Sequence, residues 1–128
     1  MKLINTSSAA LPGGHYSQAV QHRDTLYVSG LLPIRAGDHQ KELGTIEDQL
    51  NVVLDNLTAV LAAAGSAPDL VIRTTVYIAD MAHWSKVNAA YQEFFGNHKP
   101  ARVVVPVTEL HYGFLVELDA IAVVAGEW

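Results

Sequence analysis

The amino-acid sequence predicts an α+β sandwich, a mostly antiparallel sheet with two helices on one of its faces. Three observations point there. Apolar runs and turn signals order the chain as strand, strand, helix, strand, helix, strand, strand. The two helical segments repeat apolar residues on one face only. Apolar residues make up 50% of the chain and charged residues 16%, which is lean for the whole surface of a small monomer. Several strands are apolar on both sides. The sheet face without helices is therefore expected to pack against further copies of the chain, closing into a ring.

At 128 residues the chain is expected to be one domain spanning 1–128. The absence of cysteine removes disulfides, thiolate nucleophiles and thiolate metal sites, and it fits a reducing cytoplasm. The N-terminal MKLINTSSAALPGG lacks the apolar core of a signal peptide. No run approaches the ~18 apolar residues of a membrane span. The net charge is −5 and the eight Lys and Arg are scattered singly, so neither a nucleic-acid nor a membrane partner is expected.

Residues 15–21 and 25–32 form the expected first hairpin, turning at Arg23-Asp24. Val20 then faces Tyr27, Gln18 faces Ser29, and Tyr16 faces Leu31, with Tyr16, Gln18 and Ser29 on one face. Tyr16 either packs there with its hydroxyl on the backbone or lines a site. Gly30 inside a strand indicates a bulge or the close approach of another group. Pro33 closes the strand, and 34–44 is a polar loop. Thr45 opens the first helix with Thr45-x-x-Asp48, similar to a capping box. Ile46, Leu50, Val53, Leu54, Leu57, Val60 and Leu61 form its apolar face, and Asp48, Asn51, Asp55 and Asn56 lie off it. Gly65 and Pro68 stop it, and its expected role is scaffold. Residues 70–78 are β-branched and read as a strand. Asp80 caps a second helix that runs to Phe95 and ends at Gly96. Its expected inward seam is Met81, Trp84, Asn88, Tyr91 and Phe95. An amide on that seam needs a partner, and a tie from Asn88 to backbone is preferred over a ligand contact.

The closing stretch 100–126 reads as two apolar strands and a short polar loop. Arg102, Glu117 and Asp119 sit inside these runs, where a charge needs a partner. A hairpin turning near Leu110-His111 sets Arg102 opposite Asp119 and Glu117 opposite Val104, all on one face. Two readings stay open at this point. Arg102 and Asp119 form an ion pair within the sheet. Alternatively, Arg102 offers its planar fork to a ligand carboxylate. In that second reading Glu117, its charge disfavoured among Leu115, Val116 and Leu118, serves as a general acid–base. The six histidines show no metal-ligand spacing. Gly13-Gly14 precedes a strand and makes no phosphate cradle. Ser29 and His111 lack a third group for nucleophilic catalysis. His111-Tyr112 is placed at the mouth of any pocket.

In this order and spacing the motifs resemble the RidA/YjgF family, the reactive-intermediate (enamine/imine) deaminases, over almost the whole chain. The matching pieces are His15-Tyr16-Ser17-Gln18, Tyr27-Val28-Ser29-Gly30 with Pro33, the helix from Gln49 to Gly65, Val87-Asn88-x-x-Tyr91-x-x-Phe94-Phe95, Pro100-Ala101-Arg102, and Val116–Ala122. The resemblance implies a chorismate-mutase-like fold and a homotrimer with sites between subunits. It implies hydrolysis of 2-imino or 2-enamino acids to 2-keto acids and ammonia, with no metal and no cofactor. Arg102 would clamp the substrate carboxylate, and Glu117 would activate water. Tyr16, Ser29, Gly30, Leu31, Asn88, Val104 and His111 would line the substrate site. Val104 stands where the family often has Cys, Leu31 where it has Gln, and His15 where it has Pro. The loop Glu109–Gly113 also departs from the best-studied deaminases. A larger amino-enoic acid such as aminomuconate is then an alternative substrate. A non-catalytic trimer binding small carboxylic acids is the other alternative, and Glu117 separates the two, since a pure binder needs no carboxylate beside an anion site. A ribonuclease activity is disfavoured by the acidic balance.

Overall fold

The computed structural model describes residues 1–126. A six-stranded sheet carries the strands in the order β1-β2-β3-β6-β4-β5. They are β1 (Lys2–Ile4), β2 (Ala19–His22), β3 (Thr25–Leu31), β4 (Val71–Ile78), β5 (Ala101–Pro106) and β6 (Val116–Val123). Helices α1 (Ile46–Ala63) and α2 (Trp84–Phe95) share one face of the sheet, as the apolar patterning predicts. Leu50, Leu57 and Leu61 of α1 and Val87 of α2 meet Leu26, Val76 and Leu118 of the sheet in one core. Each such aliphatic side chain contributes roughly 1.5–3 kcal/mol by leaving water. The three-residue β1, which the sequence does not announce, is held by pairing to β2.

The first hairpin turns where expected, with Arg23 in the left-handed region at φ 56° and Val20 opposite Tyr27. The strand stops short of Tyr16, however, which lies in a bend and does not face Leu31. The Ser29 N–H donates to Gln18 O at 3.0 Å, which closes the pairing there. Against β6 the register shifts between Val28 and Leu31, so Ser29-Gly30 form a bulge.

Thr45 caps α1, its hydroxyl accepting from the Asp48 N–H at 3.1 Å. Asn56 is buried and not off the apolar face as the spacing predicts. Its Oδ1 accepts from Ala10 N at 3.0 Å and its Nδ2 donates to Ile34 O at 2.8 Å, so the amide pins two loops to the helix. Gln49 does the same for Gly44 O and Leu115 N. Removing such a buried partner leaves backbone groups unpaired, at about 1–3 kcal/mol. Asn56→Ala is therefore expected to lower stability in urea titrations by about that amount, and exposed Asn51→Ala by much less.

The closing strands correct the expected hairpin. β5 pairs with β4 in parallel, and β6 pairs with β4 and β3 antiparallel, so β4 stands between β5 and β6. The cause is the helix between β4 and β5, because a helical crossover returns the chain parallel to the strand it left. The loop 107–115 then passes over the end of β4. Val107 N donates to Ile78 O at 2.9 Å and Ala79 N to Leu115 O at 3.0 Å. Arg102 lies in one row with Thr74 and Ala120, both buried, on the helix side of the edge strand β5. Glu117 lies in a row with Tyr77 and Val105 on the opposite face, and Asp119 beside Thr75 shares that face. Arg102 and Asp119 are thus not partners; Asp119 instead accepts from the Tyr77 hydroxyl at 3.2 Å.

The seam of α2 also shifts. Asp80 caps a short 3-10 turn, Met81–His83, through Ala82 N at 2.8 Å, and α2 follows that turn. Val87, Tyr91 and Phe95 are its buried residues, whereas Met81 and Trp84 are exposed.

Candidate functional site

Two groups of chemically active residues emerge, one on each face of the sheet. The first is built on the β3 bulge. A Cβ at Gly30 would overlap the Glu117 carboxylate and lie 3.2 Å from its Cδ, so glycine is what lets this acid lie against the bulge. Burial pushes the Glu117 carboxyl above the usual glutamate range; His111 opposes that shift and Asp119 adds to it. Gly30→Ala is expected to displace the carboxylate, visible as a changed Glu117 titration by NMR. Its steric cost is about 1–3 kcal/mol in a melt.

Beside the bulge opens a cavity of about 420 Å³, with Tyr16, Ser29, Gly30, Leu31 and His111 in its wall. Tyr16 Oη accepts from Gly13 N at 3.3 Å, which folds its own loop over the opening. Ser29 Oγ donates its proton to Ser17 O at 2.6 Å. Gln18, which the sequence places on a face with Tyr16 and Ser29, receives no role from sequence reasoning. It is buried, its Oε1 accepts from Thr6 N at 2.7 Å, and its Nε2 donates to Thr6 O and Ala10 O. It fastens the N-terminal segment that walls the cavity. Its signal is a side-chain amide that alternation sets on one face with Tyr16 and Ser29, where it must find partners. Lys41 and Tyr112 close the far side, with the Lys41 ammonium 4.4 Å from the Tyr112 ring centroid.

The second group surrounds Arg102. Its Nη1 donates to Asn88 Oδ1 at 2.9 Å, so the amide is tied to this guanidinium rather than to backbone. The guanidinium lies 4.8 Å from the Tyr91 ring centroid and 6.0 Å from that of Trp84. Burial pushes the Tyr91 phenol up, against its Thr74 bond and the Arg102 charge, so the ring stays neutral. Among the described residues Arg102 forms no ion pair. A second cavity of about 570 Å³ opens beside it, walled by Asn88, His98 and Lys99 among others. Val104 packs against the core and lies in the wall of neither cavity.

The geometry thus offers an anion fork with no anion partner among the described residues, and a protonatable carboxyl at a glycine bulge. One chain holds them apart on opposite faces of its sheet. No helix among the described residues is long and apolar enough to cross a membrane.

Comparison with known proteins agrees with this architecture. The family described as Endoribonuclease L-PSP matches residues 6–124. A RutC family protein of Pyrococcus horikoshii is 42% identical over 94% of this chain and 96% of its own length. The 2-iminobutanoate/2-iminopropanoate deaminase of Mus musculus is 38% identical over 95% and 90%. The crystal structure of Escherichia coli TdcF with bound serine superposes with a TM-score of 0.92. Its identity is 30%, over 98% of this chain and 100% of that one. The chain belongs to the Endoribonuclease L-PSP family, the RidA/YjgF family that its motifs resemble.

Proposed function

We propose that the protein is a hydrolytic deaminase of 2-imino and 2-enamino acids, working in sites completed between copies of the chain. The observation that carries this reading is Arg102, held by Asn88 over Tyr91 and Trp84 with no ion pair among the described residues. A planar fork kept ready without an anion suits a small-molecule carboxylate. Glu117 supplies the second requirement, a carboxyl that burial pushes above the usual glutamate range and so toward general acid–base work.

In the reaction, water adds to C2 of the imine and forms the C–O bond while nitrogen takes up a proton. The carbinolamine then collapses: its hydroxyl gives up a proton as the C=O bond forms, nitrogen takes up a second proton, the C–N bond breaks, and ammonia leaves a 2-keto acid. Glu117 carries both protons to nitrogen, the first from water and the second from the hydroxyl. An enamine first takes a proton at C3 to become the imine. Imines hydrolyse readily, so binding, orientation and one proton carrier are sufficient and the reaction calls for no cofactor. Since Arg102 and Glu117 face opposite ways in one chain, a single ligand meets both only where Arg102 of one copy reaches Glu117 of another. A closed trimer, with the helix-free sheet face turned toward its neighbours, is the assembly that suits this. Exposed Tyr27 and Val103 and part-buried Ile121 give that face apolar character.

The test generates 2-iminobutanoate with an amino-acid oxidase and traps it with semicarbazide. The protein is expected to divert imine to keto acid, and Arg102→Ala to lose that diversion while staying folded. Equal trapping with and without protein overturns the reading for this substrate. The serine held by TdcF is an amino acid rather than an imine, and it favours one alternative, a non-catalytic binder of small carboxylic acids. Calorimetric binding of 2-oxobutanoate without turnover of any imine would select it. The net charge of −5 offers no electrostatic footprint for RNA.

A further inference from the structure

The cavity beside Glu117 has a charge that the rest of the molecule does not. The chain carries 13 Asp and Glu against eight Lys and Arg. Yet the wall of this cavity holds Lys41, His39 and His111 and, among the described residues, no carboxylate. The bias is built by specific contacts. Lys41 is placed by a bridge to Ile34 across the 34–41 turn, and its ammonium rests on the Tyr112 ring. Tyr112 itself adopts the left-handed region, at φ 58°, to present that ring. The neighbouring Glu42 is taken up by an ion pair with Arg35, and Lys41 forms none among the described residues. His39 accepts from Leu11 N through Nε2 at 3.2 Å, which ties the loop over the opening to the same wall.

The cavity is also larger than a three- or four-carbon imino acid requires. About 420 Å³ falls within the roughly 300–1,000 Å³ of pockets that enclose much bigger ligands. Its position decides what the extra space would hold. Gly30 and His111 belong to its wall, and both also bear on Glu117, Gly30 by contact and His111 through its charge. A substrate whose reacting carbon sits at Glu117, with its first carboxylate on Arg102, extends the rest of its chain into this cavity toward Lys41.

We propose that Lys41, seated on Tyr112 and supported by His111, is a second anion site, and that the substrates are 2-imino or 2-enamino dicarboxylates. This rests on the deaminase reading for its chemistry, which is unchanged; what is new is the site at Lys41 for the far carboxylate, which aminomuconate also carries. A lone ammonium flanked by imidazoles matches one carboxylate. Among the described residues the cavity wall contains no arginine fork of the kind that grips a phosphate.

The experiment has a binding arm and a turnover arm. By calorimetry, 2-oxoglutarate is expected to bind about tenfold or more tighter than 2-oxobutanoate, the scale of one hydrogen bond to a charged group. Lys41→Met should erase that ratio and Lys41→Glu should invert it. The substituted side chain is exposed, so both variants are expected to fold. For turnover, 2-iminoglutarate made from D-glutamate by a D-aspartate oxidase should be diverted from semicarbazide in preference to 2-iminobutanoate. That preference should fall with Lys41→Met. Equal affinity for the two keto acids, or a ratio that Lys41→Met leaves unchanged, overturns the proposal. A binding ratio that depends on Lys41 without turnover of either imine supports this second site and overturns the deaminase reading instead.

Discussion

Coexpressing Arg102→Ala and Glu117→Gln chains in equal amounts is expected to restore about a quarter of wild-type activity to two proteins that alone retain little or none. The fraction follows from random assembly. A site is intact when the copy donating Arg102 is the Glu117→Gln chain and the copy donating Glu117 is the Arg102→Ala chain. Each condition is met half the time. The expectation comes from the placement of the two side chains, Arg102 in the row of Thr74 on the helix side and Glu117 in the row of Tyr77 on the other. A chain carrying both substitutions, mixed with either single variant, should restore nothing. If one chain completed its own site, the mixture of single variants would stay as dead as its components.

Glu117→Gln alone is expected to lower kcat by roughly 10²–10⁴-fold, the range of a lost general acid–base. Its pH behaviour makes the result specific. Wild-type activity should rise with pH as the carboxyl ionises, with a midpoint above the usual glutamate range, and the residual activity of the variant should lose that limb. Stability should move the other way. The folded protein holds a proton on Glu117 at pH values where the unfolded chain has released it. This group's contribution is full below the unfolded pKa and is lost as pH rises through the folded one. Glu117→Gln should therefore melt higher than wild type at neutral pH, and the gap should close on acidification. A variant that melts lower at pH 7, or a gap that widens in acid, would contradict the burial assigned to this carboxyl.

Local grammar was readable wherever one segment determined its own geometry. Thr45 capped its helix, Arg23-Asp24 turned its hairpin, and Gly30 marked both a bulge and a close contact. Pairing between distant strands was not read in this way. The closing strands look like a hairpin because each is apolar and the loop between them is short. That reading omits β4, a third apolar strand able to enter between them. The crossover through α2 was the available clue, since a helix between two strands sends the second one parallel to the first. The pattern marks Asn88 as an amide needing a partner but sets Asn56 off the apolar face, and the partners of both lie far away in sequence. Asn88 met Arg102 rather than backbone, and Asn56 reached loops 22 and 46 residues distant. Lys41 carried no signal at all in its polar loop, because only the fold brings Tyr112 beneath it.

Edge strand β5 leaves one row of its backbone N–H and C=O groups without a neighbour in its own sheet, and it carries Arg102 on that margin. On the proposed reading, this makes catalytic output a function of how much protein is present. Dilution below the dissociation constant of the assembly would separate fork from carboxyl before any chain unfolds, so specific activity would fall with concentration while far-UV circular dichroism held steady. A bound dicarboxylate, touching two copies at once, would resist that loss and act as a tether between them.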